Sequence, residues 1–238
     1  MKRILITGGA SGLGEAITRK LALEEDSFVI FSYCKSEKKA RSIEKEFKNT
    51  RAVKCDFSNS ADVETLCGIM VEKGIDVLIN NAFCKMTTSH FHKTDPDIFL
   101  NNFKVNVMPV IRLTQKAIGI FRKNRSGKII TILTSYLAGN PPVGSSEYVA
   151  AKAYLASLSK SWAVENTCIS SNCISPSFMK TQLTSNVDER VVEDMRKKHP
   201  LKNLLTIDEV ADAVSFLVSA SQQINGVNVV MNAATHIL

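Results

Sequence analysis

The chain has 238 residues, of which 45% are hydrophobic and 22% are charged. This length and composition are typical of one large α/β domain with a substantial buried core. No apolar run approaches the ~18–20 residues that cross a bilayer, so we expect a cytoplasmic protein with no membrane partner. The formal net charge of +7 permits anionic partners, but aromatic and basic residues are not interleaved as in nucleic-acid-binding modules, so no nucleic acid is expected.

The cysteines and histidines point away from disulfides and metals. The six cysteines contain no CxxC pair, which favours reduced thiols in an intracellular enzyme. His90 and His92 have no carboxylate or thiol cluster beside them, so no metal site is expected. Two basic segments, 35–54 and 122–128, are interpreted as solvated helix surfaces. Docking of a phosphorylated substrate or an acidic carrier is the alternative.

Short apolar runs alternate with amphipathic segments along the chain. The runs predict seven strands, at 3–7, 28–32, 52–55, 77–80, 128–133, 170–174 and 227–231. The segments predict helices at 12–23, 37–47, 61–73, 98–121, 147–165, 187–198 and 207–219. This alternation predicts an α/β fold, a single-domain Rossmann-like doubly wound parallel sheet over residues 1–238 with helices on both faces. Pro109 predicts a kink in the helix at 98–121.

A glycine-rich turn follows the first predicted strand and opens the first predicted helix. Its sequence, Thr-Gly-Gly-Ala-Ser-Gly-Leu-Gly at 7–14, has glycines at 8, 12 and 14 that allow a tight turn and close backbone approach to a pyrophosphate. The helix N-terminus adds free N–H donors and the positive end of its dipole. The position in front of a strand–helix series favours dinucleotide binding over a mere sharp connection. The GxxxxGK[ST] sequence of P-loop NTPases does not occur.

The end of the second strand bears on the choice of cofactor. An acidic residue there would accept hydrogen bonds from a ribose 2′-hydroxyl and favour NAD(H). The chain instead has Phe-Ser-Tyr-Cys-Lys-Ser at 31–36, with no Asp or Glu before Glu37. Lys35 and the neighbouring hydroxyls suit a 2′-phosphate, which favours NADP(H). A purely solvated role for Lys35 is the alternative.

Tyr148 and Lys152 form the candidate catalytic pair. Their spacing of four places a phenol and an ammonium one turn apart on one helix face. An adjacent cation favours the phenolate, so we expect Lys152 to lower the pKa of Tyr148 and to make it a usable acid–base group.

Together these motifs resemble those of the short-chain dehydrogenase/reductase family over nearly the whole chain. In chain order the matching features are the TGxxxGxG turn at 7–14, Asp56 with Phe57, the NNAG-like turn at 80–83, Asn106, Ser135 thirteen residues before the tyrosine, YxxxK at 148–152, and the segment from Pro176 to Thr181. Within the family the chain looks most like 3-oxoacyl-carrier-protein reductases and related carbonyl reductases.

The resemblance implies hydride transfer between a nicotinamide cofactor and a small carbonyl or alcohol substrate, with a carrier-bound 3-oxoacyl thioester as one candidate. It implies catalytic roles for Asn106, Ser135, Tyr148 and Lys152, with Asn106 holding a water that links Lys152 to solvent. It implies cofactor contacts from Gly8, Ser11, Gly12, Leu13, Gly14, Lys35, Asp56, Phe57, Asn81, Tyr148, Lys152, Met179 and Thr181. It also implies a substrate lid at about 181–202 and a homodimer or homotetramer.

Three departures from the family pattern leave other functions open. Phe83 replaces the glycine of NNAG, Ser177 replaces the glycine after Pro176, and the end of the last strand lacks both usual glycines, at 233 and 234. A regulatory protein that binds the cofactor without turnover is one alternative. A dehydrogenase for a sugar, polyol or steroid-like alcohol is another, since such relatives share the same framework.

Overall fold

A computed structural model shows the protein over residues 1–84, 86–185 and 187–236. Seven strands form one parallel sheet in the order β3-β2-β1-β4-β5-β6-β7. The strands are β1 (Lys2–Ile6), β2 (Ser27–Tyr33), β3 (Thr50–Lys54), β4 (Val77–Asn80), β5 (Gly127–Ile132), β6 (Ile169–Pro176) and β7 (Asn228–Met231). The predicted doubly wound parallel sheet is confirmed.

Helices connect the strands and cover both faces of the sheet. They are α1 (Gly12–Ala22), α2 (Glu37–Glu46), α3 (Ser60–Lys73), α4 (Pro96–Asn106), α5 (Met108–Asn124), α6 (Ser146–Glu165), α7 (Glu189–Lys198) and α8 (Ile207–Ser219). Short 3-10 turns lie at Phe91–Lys93, Ser135–Leu137 and Gln182–Thr184.

The alternation of side chains along each strand divides the core into two layers. On β1, Ile4 and Ile6 are fully buried against α1, α2 and α8. Leu5, between them, is buried on the opposite face with side chains of α3, α5 and α6. Because both faces are covered, the central strands are apolar throughout, which is why the short runs in the sequence predicted them well.

The strand order reverses direction between β1 and β4. The chain moves from β1 outward to β2 and β3, then returns to β4 and continues to β7 on the other side. In open parallel sheets, ligands bind in the crevice at the carboxyl ends of the strands beside such a switch point. The glycine-rich turn follows β1 and the segment that contains Phe83 follows β4, so both border this crevice.

The predicted helix at 98–121 is wrong in one respect, because the structure has two helices there. α4 ends at Asn106, Val107 has φ −109°, and α5 begins at Met108. Pro109 lacks the N–H that would bond the carbonyl of Val105, and its ring crowds that carbonyl. The prediction placed a kink at Pro109, whereas the proline lies in the first turn of α5, where a missing N–H costs little, and the break precedes it.

Candidate active site

The turn after β1 has the backbone that pyrophosphate binding requires. Gly8 and Gly12 have φ of 67° and 51°, and a Cβ added at Gly14 would overlap the carbonyl oxygen of Gly8. Ser11 is the N-cap of α1, with extended backbone (φ −156°) and no capping bond from its side chain. The first N–H groups of α1 are therefore open to an anion. Leu13 is buried in the core, so its contribution to binding would come from its backbone.

Asn81 holds this turn in place rather than facing outward. Its Nδ2 donates to the carbonyl oxygen of Thr7 at 2.9 Å, and the Thr7 hydroxyl accepts from the backbone N–H groups of Asn81 and Ala82, each at 3.0 Å. These bonds tie the end of β4 to the end of β1. The asparagine thus fixes the shape of the phosphate-binding turn.

Three residues that are predicted to contact the cofactor, Lys35, Asp56 and Phe57, lie after β2 and β3. Lys35 is exposed. Ser58 lowers the pKa of Asp56 most, and Cys34 and the charge of Lys35 lower it further. Asp56 accepts from the backbone N–H and the hydroxyl of Ser58 at 2.9 and 2.7 Å. Phe57 is buried and packs in the core. Lys35 and Asp56 therefore lie together at the surface, while Phe57 supports them from below.

Tyr148 and Lys152 lie one turn apart near the start of α6, and both are buried, with 9% and 4% exposure. The Lys152 ammonium donates to the carbonyl oxygen of Ile132 at 2.7 Å. Burial lowers the pKa of Lys152 to about 8 and raises the pKa of Tyr148 to about 12. The predicted lowering of the Tyr148 pKa is thus wrong for the protein alone, because desolvation of the buried phenol raises that pKa more than the neighbouring Thr134 lowers it.

The segment after β5 brings two neighbouring hydroxyls to this pair. Ser135 is buried and begins a 3-10 turn, as predicted for a residue at the end of β5. Thr134, which the sequence analysis missed, caps that turn through the backbone N–H of Tyr136, and as a polar neighbour of the phenol it lowers the pKa of Tyr148. Tyr136, also missed, is a half-buried phenol whose charge would raise that pKa. The adjacent Thr134 and Ser135 could have indicated that either hydroxyl is a candidate to act on Tyr148, since both lie near the expected sequence interval before the tyrosine.

Asn106 is the last residue of α4 and is almost fully buried. Its Oδ1 accepts the backbone N–H of Cys84 at 2.7 Å. Within the described residues, no direct hydrogen bond joins Asn106 to Lys152. The structure therefore gives Asn106 a role in holding the segment after β4, and the predicted water relay stays a prediction.

Phe83 occupies the space beside the catalytic pair. Its ring lies edge-to-face with Tyr148, with centroids 4.9 Å apart and planes at 80°. The Lys152 Nζ lies 4.9 Å from the centroid of the same ring. The departure from glycine thus places an aromatic ring directly against both side chains of the candidate catalytic pair.

Glu147, which the sequence analysis also missed, is a buried carboxylate one residue before Tyr148. It accepts the backbone N–H of Thr87 at 2.7 Å and a hydrogen bond from Asn102 Nδ2. Burial raises its pKa. The side chain therefore connects α6 to α4 and to the segment after β4. A carboxylate next to the catalytic tyrosine was the available signal, but nothing in the sequence named its partners.

The segment after β6 crosses the glycine-rich turn. A Cβ at Gly12 would lie 3.6 Å from the Thr181 Cβ, and Met179 packs against the core layer that contains α1. Both residues therefore lie beside the glycine-rich turn, and their cofactor contacts stay a prediction. The predicted lid at 181–202 contains a 3-10 turn and α7; Asn186, within it, lies outside the described residues.

The backbone accommodates the other two departures from the family pattern, at Ser177 and at the pair Ala233 and Ala234. Ser177 donates its backbone N–H to Met231 at 2.9 Å, continuing the pairing of β6 with β7. Ala233 and Ala234 have φ of 47° and 60°, so the chain keeps the left-handed turn that glycines favour, at the cost of crowding two Cβ atoms.

Two negative findings apply to the described residues, which leave out 85, 186, 237 and 238. Over that part of the chain, no group of three or more His, Cys, Asp or Glu residues is placed to hold a metal ion. No helix among the described residues is long and apolar enough to cross a membrane.

The fold and the arrangement of the glycine-rich turn, Tyr148 and Lys152 are those of a dinucleotide-binding α/β oxidoreductase. The family described as "Enoyl-(Acyl carrier protein) reductase" matches residues 8–236. The chain belongs to the short-chain dehydrogenase/reductase family. The predicted class, an NAD(P)-dependent oxidoreductase that transfers a hydride between cofactor and substrate, is confirmed.

Three relatives illustrate the match. The 3-oxoacyl-[acyl-carrier-protein] reductase FabG of Rickettsia felis is 32% identical over 224 residues, covering 92% of this chain and 89% of that protein. The 3-ketoacyl-(acyl-carrier-protein) reductase of Brucella melitensis, solved with NADH, is 27% identical, with a TM-score of 0.88 and coverage of 99% and 98%. A short-chain dehydrogenase of Burkholderia cenocepacia, solved with NADP, is 25% identical, with a TM-score of 0.85 and coverage of 98% and 96%.

These similarities support a nicotinamide cofactor. The residues of this chain fit one, because the glycine-rich turn leaves no room for a Cβ at Gly14 and opens the N-terminus of α1 toward the crevice. The choice between NAD and NADP is not decided by the similarities, since one neighbour holds NADH and the other NADP.

Proposed function

We propose that the protein reduces the carbonyl group of a 3-oxoacyl thioester, with NADP(H) as its cofactor. The observation that carries this proposal is the buried pair of Tyr148 and Lys152 beside Ser135, with the Lys152 ammonium held by the carbonyl oxygen of Ile132 at 2.7 Å, at the carboxyl end of β5. The thioester is supported by similarity to proteins named as 3-oxoacyl-carrier-protein reductases.

The proposed roles follow from the chemistry of each group. When bound, the cofactor supplies or accepts the hydride. Tyr148, whose pKa is about 12 in the protein alone, would donate its proton to the developing alkoxide. Lys152 would favour the resulting phenolate and hold the ribose hydroxyls. Ser135 would donate a hydrogen bond to the substrate oxygen, a stabilisation that grows as negative charge develops on that oxygen. Thr134 would donate its single O–H to the Tyr148 phenolate as it forms.

NADP(H) is proposed from the charge at the end of β2. Lys35 is exposed there and no carboxylate lies between Phe31 and Ser36. Lys35 lowers the pKa of the neighbouring Asp56, but no salt bridge among the described residues involves it, so its exposed ammonium can attract a 2′-phosphate.

The lid and the oligomer are proposed as well. The segment 181–202 would close over the crevice from its anchor at Thr181, above the glycine-rich turn.

In the single-domain chain, the outer surfaces of α4, α5 and α6 would form a homodimer or homotetramer interface. Exposed apolar side chains support this, namely Leu100, Met108, Tyr154 and Val164. Sedimentation velocity would test the assembly, and a monomer at all concentrations would contradict it.

The direct test is turnover with acetoacetyl-coenzyme A under NADPH and NADH, followed by nicotinamide absorbance. Sugar, polyol and steroid ketones serve as competing substrates. We expect the thioester with NADPH to give the highest kcat/KM. Tight NADPH binding by fluorescence without turnover on any carbonyl would instead support a regulatory protein.

A charge reversal tests the cofactor choice. Lys35→Glu is expected to raise the KM for NADPH at least tenfold and to leave the KM for NADH nearly unchanged. Lys38→Glu, an exposed lysine on α2, is the matched control for the change in net charge. Equal effects of the two substitutions would contradict the proposed phosphate contact.

A further inference from the structure

Phe83 is the side chain that distinguishes this active site most strongly from the family pattern. It follows β4, in the crevice at the carboxyl ends of the strands. Its ring contacts both members of the catalytic pair, at 4.9 Å from the Tyr148 ring centroid and 4.9 Å from the Lys152 Nζ. It also packs against the apolar layer that contains α5 and α6, so the ring is anchored on its far side.

We propose that Phe83 is a positioning residue that holds the Lys152 ammonium in place and keeps it charged. The inference rests on the proposed function, because it assumes that Lys152 assists proton donation by Tyr148. The ring would act through the lysine, without touching the reacting carbonyl.

Lys152 is buried with few polar partners in the described part of the chain. An ammonium has three N–H donors, and the carbonyl oxygen of Ile132 accepts from the Lys152 Nζ at 2.7 Å. The titratable groups near the pair are Tyr148 on the same helix, Cys173 on β6 and Tyr136 after β5. Among the described residues, none of the salt bridges involves Lys152.

A buried cation without a carboxylate partner has lost its hydration, and only weaker interactions with neighbouring groups stabilise its charge. The face of an aromatic ring attracts a cation, and the attraction grows when water is excluded. The Phe83 ring is the nearer of two such rings, since the Tyr148 ring lies 6.0 Å from Nζ. A glycine at position 83 would offer neither this attraction nor the bulk that fills the space.

The backbone around Phe83 is fixed by Asn106. The N–H of Cys84 donates to Asn106 Oδ1 at 2.7 Å, and the Cys84 thiol lies 3.8 Å from the carbonyl oxygen of Val105, which Pro109 leaves without its helical donor. The break between α4 and α5 thus receives Cys84, the residue that directly follows the ring in the chain. In this chain Asn106 sets the position of Phe83, and Phe83 sets that of Lys152.

The test compares Phe83→Leu, which keeps apolar bulk but removes the aromatic face, with Phe83→Tyr, which keeps the ring. Phe91→Leu, at an exposed phenylalanine of the same segment (71% exposed), is the control. The Lys152 pKa is measured directly by NMR of protein labelled with ¹⁵N at lysine Nζ, with Lys152→Met for assignment. Thermal melting establishes that each variant is folded.

In Phe83→Leu we expect the pKa of Lys152 to fall by about half a unit to one unit. The basic limb of kcat/KM for reduction is expected to shift to lower pH by the same amount, because Lys152 loses its proton earlier. For a fall of one unit, the loss of charged lysine is expected to lower kcat about twofold at pH 7 and about tenfold near pH 9, with a smaller change in KM for NADPH. Phe83→Tyr should return the lysine pKa toward the wild-type value, and Phe91→Leu should change neither readout.

An unchanged lysine pKa and pH profile in Phe83→Leu would overturn the proposal. The NMR readout does not require turnover. If wild-type protein reduces no 3-oxoacyl thioester while Phe83→Leu still lowers the lysine pKa, the positioning role stands and the proposed substrate is wrong.

Discussion

Glu147 accepts the backbone N–H of Thr87 at 2.7 Å, and this bond joins the residue next to the catalytic tyrosine to the segment after β4. The same carboxylate accepts from Asn102 Nδ2, while Asn102 Oδ1 is buried without a partner. Burial raises the pKa of Glu147, so the folded protein retains this proton to a higher pH than the unfolded chain does. Stability is therefore lost as pH rises through the folded-state pKa.

Glu147→Gln is expected to keep or increase stability at neutral pH and to remove this pH dependence. The glutamine carbonyl can accept from Thr87, and its amide can donate to the free oxygen of Asn102. Glu147→Ala is expected to cost about 2–3 kcal/mol, because Thr87 and Asn102 lose their acceptor. Urea unfolding from about pH 5 to 8 measures both. Equal losses in the two variants would show that the hydrogen bonds do not stabilise the fold.

Tyr148→Phe removes only the proposed proton donor. We expect kcat to fall by about 10²–10⁴-fold, the range for loss of a general acid. The Kd for NADPH, measured by fluorescence titration, is expected to change little, because the aromatic ring against Phe83 remains. A variant with wild-type kcat would exclude Tyr148 as the acid.

Thr134 and Ser135 can be separated by single substitutions. Because Thr134 is the proposed donor to the Tyr148 phenolate and lowers the pKa of that phenol, we expect Thr134→Val to lower kcat about 10²-fold and Thr134→Ser to restore most of it. Ser135→Ala is expected to have the smaller effect. The comparison uses kcat with a saturating thioester. A larger loss of kcat in Ser135→Ala than in Thr134→Val would show that Ser135, the residue predicted from the family spacing, contributes more to catalysis.

The sequence predicted the sheet well and the surroundings of the catalytic pair poorly, for a physical reason. Strands such as β4 are short, apolar and bounded by turn residues, so local pattern identifies them. The partners of Glu147 and Lys152 are 60 and 20 residues away, and no local pattern encodes such contacts. The predicted direction of the Tyr148 pKa shift was wrong for the same reason. The spacing of four shows that a lysine is near the tyrosine, but it does not show that both side chains are buried away from water.

Ala233 and Ala234 offer a test of backbone strain at the end of β7. Both have positive φ, where a Cβ crowds the following carbonyl at a cost of about 1–2 kcal/mol per residue. Substituting each with glycine is expected to stabilise the protein by about 0.5–1 kcal/mol, since glycine relieves the crowding but adds chain entropy to the unfolded state. Ala213→Gly, inside α8, is the control and should destabilise by a similar amount. Thermal unfolding distinguishes the two signs, and destabilisation at all three positions would mean that the left-handed turn is not strained.

Lys152→Met tests the cost of burying the catalytic cation. Burial lowers the pKa of Lys152 from 10.5 to about 8. Below the folded-state pKa the lysine is charged in both states, and the penalty is present in full, at about 3 kcal/mol. Between the two pKa values the unfolded chain binds more protons, so wild-type stability rises with pH.

The variant avoids that penalty but loses the bond to Ile132 and the contact with the Phe83 ring. We therefore expect Lys152→Met to be about 1–2 kcal/mol more stable than wild type near pH 7. The difference should fall by about 2–3 kcal/mol between pH 7 and pH 10, so that wild type becomes the more stable protein once its buried lysine is neutral. Lys160→Met, an exposed lysine on the same helix, controls for the change in net charge. A stability difference that did not vary with pH would show that Lys152 is not charged and desolvated in the folded protein, and with it the electrostatic role given to Phe83 would fail.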